Sequence, residues 1–427
     1  MQKIYYFLLI TLPITFKISI TEGIFVFPQE ILMICLFPIS IVYLKVKKTS
    51  EPFIYLGIGL VFMLISSILS LVYFVDISGT LLVLKYLLYI YSIIIISPYS
   101  FNNFVNDFNK IALLSIFISL IILLDNYINF DGDIKSFLNI MLYDVNYIPS
   151  GLSNLNYSFS TNSFFRSTGN HGIYGSYLVL VYLVNFYQFK KFRKKINLFI
   201  LILCLGFIFL LNSRETLMVL IISHFGLLHT LSKVKFSIKK LLIIGFSSFL
   251  VLFVIIYFND NSIGVFGKFK NSFDAITSGK GDGSINARFR TWILSIHYFV
   301  KDPLQLIFGT GYNVLNYENA LEIANSDYKF KNYATIPENF FFMFLFYGGV
   351  FSFLFSIFYW AKIFISFINL SIRKNKSLLP WLIVGLFLAN NTGGSMISDL
   401  FLAQFALFYY YFKSLKNATK QNTLYNS

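Results

Sequence analysis

Long apolar stretches recur from end to end of this 427-residue chain, and they limit its possible folds more than any other feature. Hydrophobic residues make up 57% of the sequence and charged residues only 12%, too few to solvate the surface of a soluble protein of this size. Many of the stretches have the length of about 17–25 residues that a helix needs to cross a bilayer. We therefore expect an all-α, polytopic integral membrane protein with a single membrane domain over residues 1–427.

Hydropathy and length predict about twelve transmembrane helices. Their expected positions are 4–21, 26–44, 53–74, 79–98, 109–126, 171–189, 196–212, 214–232, 241–258, 338–361, 378–392 and 396–412. With the N-terminus inside, 20 of the 34 basic residues fall in cytoplasmic segments, so the positive-inside rule supports this orientation and places both termini in the cytoplasm. The net charge of +15 is then mainly a topology signal, and we expect no nucleic-acid partner.

Two long segments, 127–170 and 259–337, are predicted to be ordered extracytoplasmic loops, because they are rich in Asn, Ser, Tyr and Phe and are not of low complexity. In the second loop, Phe289, Trp292, Ile293, Ile296 and Phe299 or Val300 repeat at helical spacing. This pattern predicts an amphipathic helix. It can lie on the membrane surface, present Arg288 and Arg290 to a site, or do both.

Arginine and lysine are distributed differently. The chain has 28 lysines and six arginines, and four of the arginines lie in or beside predicted outside segments: Arg166, Arg214, Arg288 and Arg290. A guanidinium offers a rigid fork of donors that suits phosphate oxygens and keeps its charge when partly desolvated. The pattern therefore predicts an anion site on the outer face.

The stretch LLNSRETLMVLI, residues 210–221, supports that site. Asn212 followed by Glu215 has the form of a helix N-cap and its N3 carboxylate, which makes Arg214 the second residue of the next span. Free backbone N–H groups and the helix dipole favour anions there, so this start is a candidate cradle for a diphosphate. The alternative is an arginine that extends to lipid headgroups while Glu215 completes the cap.

Several classes of chemistry have no support in the sequence. Metal-ligand patterns of the CxxC or HExxH type are missing, as are a P-loop and a GxGxxG segment followed by a suitable helix. Cys35 and Cys204 lie inside apolar runs, where packed thiols are expected. We expect an enzyme that uses no cofactor and no metal.

Four segments resemble the Wzy/O-antigen polymerase and O-antigen ligase superfamily of membrane glycosyltransferases. They are FRSTGNHGIYGSYL (165–178), NSRETLMVLI (212–221), RFRTWILSIHYFVKDPLQLIFGTGYN (288–313) and IPENFFFMFLFYGGVFSFLF (336–355). On this alignment Arg288 is the family arginine four residues before a tryptophan, and Arg290 is an additional one. Ligases typically have His-Asn where this chain has Glu338 and Asn339, and this departure favours a polymerase.

The resemblance implies a bacterial cytoplasmic-membrane glycosyltransferase whose active site faces outward. Its substrates would be oligosaccharide repeats on undecaprenyl diphosphate, and its product O-antigen lipopolysaccharide, capsule or exopolysaccharide. Arg214 and Arg288 are the first candidates to bind the diphosphate, with Arg166 and Arg290 second. Glu338 is either a catalytic base or a helix-start carboxylate. His171 and Asn339 are candidate pocket residues.

Membrane lipid and a chain-length regulator are candidate partners. An O-antigen ligase of the same superfamily is one alternative function. A lipid-linked oligosaccharide flippase is another, because twelve spans is also a transporter size. Tyr312, Tyr317 and Tyr333 are candidates for stacking on sugar rings.

Overall fold

The computed structural model describes the parts of the chain that form its helical framework. The described residues are 18–21, 24–26, 31–32, 34–35, 38, 51–72, 77–96, 104–128, 171–210, 214–231, 283–312, 314–331, 333, 339–374, 384 and 387. Among the site candidates, Arg166 and Glu338 lie outside these residues. The predicted spans 241–258 and 396–412 also lie outside them, as does most of 378–392.

The described elements are helices apart from one short hairpin. In that hairpin, β1 (Ile18–Thr21) pairs antiparallel with β2 (Ile24–Val26), and Ile18 is opposite Val26. The helices are α1 (Glu51–Ser70), α2 (Ser78–Ile96), α3 (Phe104–Ile128), α4 (His171–Phe192), α5 (Lys195–Leu210), α6 (Arg214–Leu231), α7 (Gly283–Lys301), α8 (Pro303–Phe308), α9 (Val314–Tyr328) and α10 (Phe340–Lys374). The predicted first span, 4–21, is therefore wrong at its end, where residues 18–21 form a strand.

Seven predicted spans coincide with described helices, namely α1 to α6 and α10. The predicted amphipathic helix is α7, whereas α8 and α9 were not predicted. Two helical stretches, Glu51–Ser70 and Phe340–Ser366, are long and apolar enough to cross a membrane, and shorter apolar helices occur at 79–88, 195–208 and 216–228. The count of twelve spans stays a prediction.

The first of two helix groups is built on α1 and α10, which pack antiparallel. Phe53 lies against Tyr359 near one end of the pair, and Phe62 stacks on Phe351 toward the other. At the first end Lys362 Nζ lies 2.7 Å from Glu51 Oε1. Helices α2, α7, α8 and α9 complete this group around the pair.

The second group contains α3, α4, α5 and α6. Helices α4 and α6 run parallel, since Gly175 lies against Thr216 and, further along, the Tyr182 hydroxyl is 3.0 Å from His224 Nδ1. Helix α5 runs back along α4 after a tight turn in which Arg193 adopts a positive φ of 51°. The Gly175–Thr216 contact puts the first residues of α4 and α6 side by side at one end of the group.

Candidate active site

A glycine-rich loop after α8 docks into a break in α10. Gly309 and Gly311 both have φ of 78°, and Gly349, inside α10, has φ of 72°. These are backbone conformations that residues with a Cβ rarely adopt. A Cβ on Gly309 would lie 2.6 Å from the Tyr347 carbonyl, and one on Gly349 would overlap the Ile307 carbonyl. The two segments can approach this closely only because glycine occupies these positions.

Backbone hydrogen bonds join the loop to the break. The Thr310 N–H donates to the Phe346 carbonyl at 2.8 Å, and the Gly311 N–H donates to the Tyr347 carbonyl at 3.1 Å. The break at Gly349 interrupts the regular helical pattern, and the loop supplies donors to carbonyls just before it. The loop therefore supplies hydrogen-bond donors to α10 next to its break.

Serines near the end of α1 hold the other side of the loop. The Ser66 hydroxyl donates to the Phe308 carbonyl, and the Tyr312 N–H donates to Ser67 Oγ at 2.8 Å. A Cβ on Gly311 would lie 2.6 Å from Ser70 Oγ. The segment 308–312 is thus fixed between α1 and α10, at the end opposite the Glu51–Lys362 ion pair.

This arrangement orients α7 along the first half of α10. The Trp292 ring stacks on Phe342 with 6.1 Å between ring centroids, and further along α7 Phe299 lies 5.1 Å from Phe346. Arg288 lies one helical turn before Trp292 on the same side of α7 and is half-buried. The fold therefore carries Arg288 toward the first turn of α10.

The first turn of α10 is capped by Asn339. Its Oδ1 accepts hydrogen bonds from the Phe341 and Phe342 N–H groups at 3.0 and 3.1 Å, as a helix N-cap residue does. The helix begins at Phe340, two residues after the predicted start of the span at 338. The capping role thus belongs to Asn339, and Glu338 comes one residue before the cap in the sequence.

Arg290 faces a different neighbour from Arg288, because residues two apart on a helix point to opposite sides. Its guanidinium carbon lies 5.5 Å from the centre of the Phe330 ring. Phe330 is held there by Asn325, whose Oδ1 accepts from the Phe330 N–H at 2.7 Å and whose Nδ2 donates to the Phe330 carbonyl at 3.0 Å. The two arginines of α7 are therefore divided between α10 and the segment after α9.

An ionic cluster also ties α7 to α9. Asp327 Oδ2 lies 2.6 Å from Lys301 Nζ and 2.7 Å from His297 Nε2. Hydrogen bonds from Lys301 and then from His297 lower the pKa of the Asp327 carboxyl to about 2. The sequence did not single out Asp327, because only the fold brings it beside Lys301 and His297, which are 26 and 30 residues away.

The predicted apolar face of α7 is divided in the structure. Trp292 and Phe299 pack on α10, whereas the remaining members of the face, Phe289, Ile293, Ile296 and Val300, are 43–72% exposed. These four recur at helical spacing and form one stripe along α7. An exposed apolar stripe of this kind is typical of a helix that lies at a membrane surface.

The helices that begin with His171 and Arg214 lie in the second group. His171 is the first residue of α4 and Arg214 the first residue of α6, so these two candidates are neighbours along the same end of the parallel pair. The predicted span start at 214 is confirmed, whereas the predicted Asn212 cap lies outside the described residues. Among the described elements, no extensive helix contact joins this group to the one that carries Arg288 and Asn339.

The structure also bears on the expected role of Tyr317 and on the expected absence of a metal site. Tyr317 is fully buried against Phe346 and Tyr347, so its proposed role in stacking on sugar rings is wrong. Within the described ranges no three His, Cys, Asp or Glu side chains come together as metal ligands do. Metal-independent catalysis stays a prediction.

A family model matches part of the chain, whereas no curated protein matches the chain. Residues 199–357 match the family model described as O-antigen ligase. The matched stretch contains most of α5, all of α6 to α9, the glycine loop and the break in α10. Together with the apolar helices, this match indicates an integral membrane protein and supports the place of this chain in the O-antigen ligase and polymerase superfamily.

Proposed function

We propose that this protein is a glycosyltransferase that polymerises undecaprenyl-diphosphate-linked oligosaccharide repeats at the outer face of the cytoplasmic membrane. The observation that carries the proposal is the position of Arg288 one turn before the Trp292–Phe342 stack, toward the capped first turn of α10. That position lies inside the stretch that matches the O-antigen ligase family model. A guanidinium there, close to a helix start, suits an anionic leaving group.

The reaction requires a good leaving group and alignment of two sugars. The hydroxyl oxygen at the non-reducing end of one repeat forms a bond to the anomeric carbon of the growing chain. The bond between that carbon and the diphosphate oxygen breaks, and the electron pair stays with the diphosphate. Arg288 and Arg214 stabilise the charge that develops there, and Arg166 and Arg290 are further candidates.

The acceptor proton needs a base, for which Glu338 is our candidate. It immediately precedes Asn339, whose side-chain oxygen caps α10. Because Asn339 already fills the capping role, a carboxylate at 338 is not required for it, and general-base chemistry is the better use of that group. The Glu338 position also favours polymerase over ligase, since the ligases it resembles have histidine there.

Ligase activity is the second candidate, because the family model that matches residues 199–357 carries that description. A deletion strain separates the two functions. Loss of a polymerase leaves single repeats on the final acceptor, whereas loss of a ligase leaves polymer on the lipid carrier. Loss of a flippase leaves neither form at the surface. We expect single repeats, and polymer retained on the carrier would overturn the polymerase assignment.

Complementation of that strain tests the arginines. Arg214→Lys and Arg288→Lys keep the charge but remove the donor fork, so we expect a large loss of polymer. Arg193→Lys is the matched control, because Arg193 is an exposed residue of the α4–α5 turn at the other end of its helix group. Polymer of wild-type length from Arg214→Lys would exclude a diphosphate role for Arg214.

A further inference from the structure

A cavity lies at the end of the second helix group that is opposite His171 and Arg214. It has a volume of about 430 Å³, is open on one side, and is lined by the first turns of α3, the last turn of α4 and the start of α5. This size is within the range of ligand pockets. Its described lining residues are Asn109, Lys110, Leu113, Gln188, Phe192, Lys194, Ile196, Asn197 and Ile200.

The carboxamides of the cavity are held in place by one another. Asn109 Nδ2 donates to Gln188 Oε1 at 3.3 Å, and Asn185 Nδ2 donates to Asn109 Oδ1 at 2.9 Å. Asn185 is fully buried and also donates to the Val181 carbonyl. These bonds join α3 to α4 and fix the polar wall of the cavity.

Asn197 supplies the feature that points to a ligand. Its side chain lines the cavity and is only 3% exposed, yet in the described part of the chain its Nδ2 has no hydrogen-bond partner. A buried donor without a partner is costly, so native structures normally satisfy such groups. An acceptor that enters the cavity would remove this cost.

The charge around the cavity is positive. Lys110 and Lys194 line it, and none of its described lining residues is acidic. The turn from 190 to 195 adds Lys190, Arg193 and Lys195 nearby, all of them exposed. A hydrogen-bond acceptor that suits these positively charged surroundings is an anion.

The remaining lining is apolar and reaches the outside of the helix group. Phe192 is 57% exposed and Ile196 is 50% exposed, so one wall of the cavity continues into an open apolar surface. A ligand with an anionic head and an apolar tail would satisfy both walls. Basic pockets between membrane helices bind lipid headgroups in this way.

We propose that this cavity binds a phosphate group, supplied by an anionic phospholipid of the leaflet at the end that the lysine distribution predicts to be cytoplasmic. Asn197 donates to a phosphate oxygen, and Lys110 and Lys194 neutralise the charge. The site is separate from the proposed glycosyl transfer, because it lies at the opposite end of α4 from His171. Its ligand stabilises the packing of α3, α4 and α5.

The test uses the purified full-length protein in detergent and measures retained lipid by native mass spectrometry. The probes are phosphatidylglycerol, phosphatidylethanolamine and inorganic phosphate. We expect phosphatidylglycerol to be retained preferentially and inorganic phosphate to compete with it only weakly. Tight binding of inorganic phosphate with no lipid preference would support the phosphate site but assign it to a free anion.

Three cavity variants and one control complete the test. Lys110→Gln, Lys194→Gln and Asn197→Leu should each weaken phosphatidylglycerol binding by about tenfold or more, as expected for loss of a hydrogen bond to a charged group. Lys191→Gln removes the same charge from the same turn but does not line the cavity, so it should bind as the wild type does. Equal loss in Lys191→Gln and Lys194→Gln, or no lipid preference and no phosphate binding in the wild type, would overturn the proposal.

Discussion

Replacement of Gly349 by alanine tests the link between the break in α10 and the glycine loop. Gly349 has φ of 72° and ψ of −173°, a backbone region that is essentially restricted to glycine and costs any other residue about 1–3 kcal/mol. The new Cβ would also lie 2.5 Å from the Ile307 carbonyl carbon and 2.8 Å from that of Phe308, both of them backbone atoms. Overpacking of this kind typically costs about 1–3 kcal/mol, so the expected loss of stability is about 2–6 kcal/mol.

The loss should be larger if the loop separates from the helix. Relief of the clash moves α8 away from α10, and this movement strains the bonds from Thr310 and Gly311 to the Phe346 and Tyr347 carbonyls. Each such hydrogen bond makes a net contribution of about 1 kcal/mol to the stability of the fold. Because α7 leads directly into α8, the same movement displaces Arg288, so polymer formation should fall together with stability.

The assay is the apparent midpoint of thermal unfolding of the full-length protein in lipid nanodiscs, followed by tryptophan fluorescence. We expect Gly349→Ala to lower it by at least about 3 °C. Gly206→Ala is the matched control, because a Cβ at this exposed position in α5 meets nothing within 4 Å. It should unfold at the wild-type temperature or slightly above it. If Gly349→Ala unfolds at the same temperature as Gly206→Ala, the proposed dependence of stability on the contact between the glycine loop and the break in α10 is refuted.

Three further substitutions have defined outcomes. Asp327→Asn should lower the midpoint at neutral pH, and because the folded carboxyl pKa is lowered from 3.8 to about 2 by Lys301 and His297, the wild-type advantage should shrink as the pH falls from 3.8 through about 2. A wild-type advantage as large at pH 2 as at neutral pH would contradict this account. Asn339→Ala should cost about 1 kcal/mol through loss of the cap, whereas Asn339→Asp should retain it; equal midpoints would argue against capping. Glu338→Gln should abolish polymerisation, and normal chain lengths in surface glycan would exclude the base.

The positions of several helices were predictable from local sequence. The predicted starts of the spans 214–232 and 171–189 coincide with Arg214 and His171, the first residues of α6 and α4. Hydropathy and helix-start residues act over one or two turns, so they are visible in the sequence. Helix α9 was missed because it is mostly polar, and the β1–β2 hairpin because it lies at the edge of an apolar run.

Site geometry was less predictable. The sequence marked Arg288 and Arg290 as a pair, but the structure turns one toward α10 and ties the other to Phe330. It treated Phe289, Trp292 and Phe299 as one apolar face, although Trp292 and Phe299 pack on α10 and Phe289 is exposed. Neither division was visible, because the partner surfaces come from segments more than 25 residues away.

The helical class, the approximate positions of seven helices and the contrast between lysine and arginine could be read from the sequence, since each depends on composition within about one span. Only the folded chain shows that Gly309 meets Gly349, that Asn339 caps α10, and that Asn197 faces a cavity between three helices. These outcomes depend on close approach of backbones distant in sequence. Steric fit and hydrogen-bond geometry in three dimensions select them, and no local pattern encodes either.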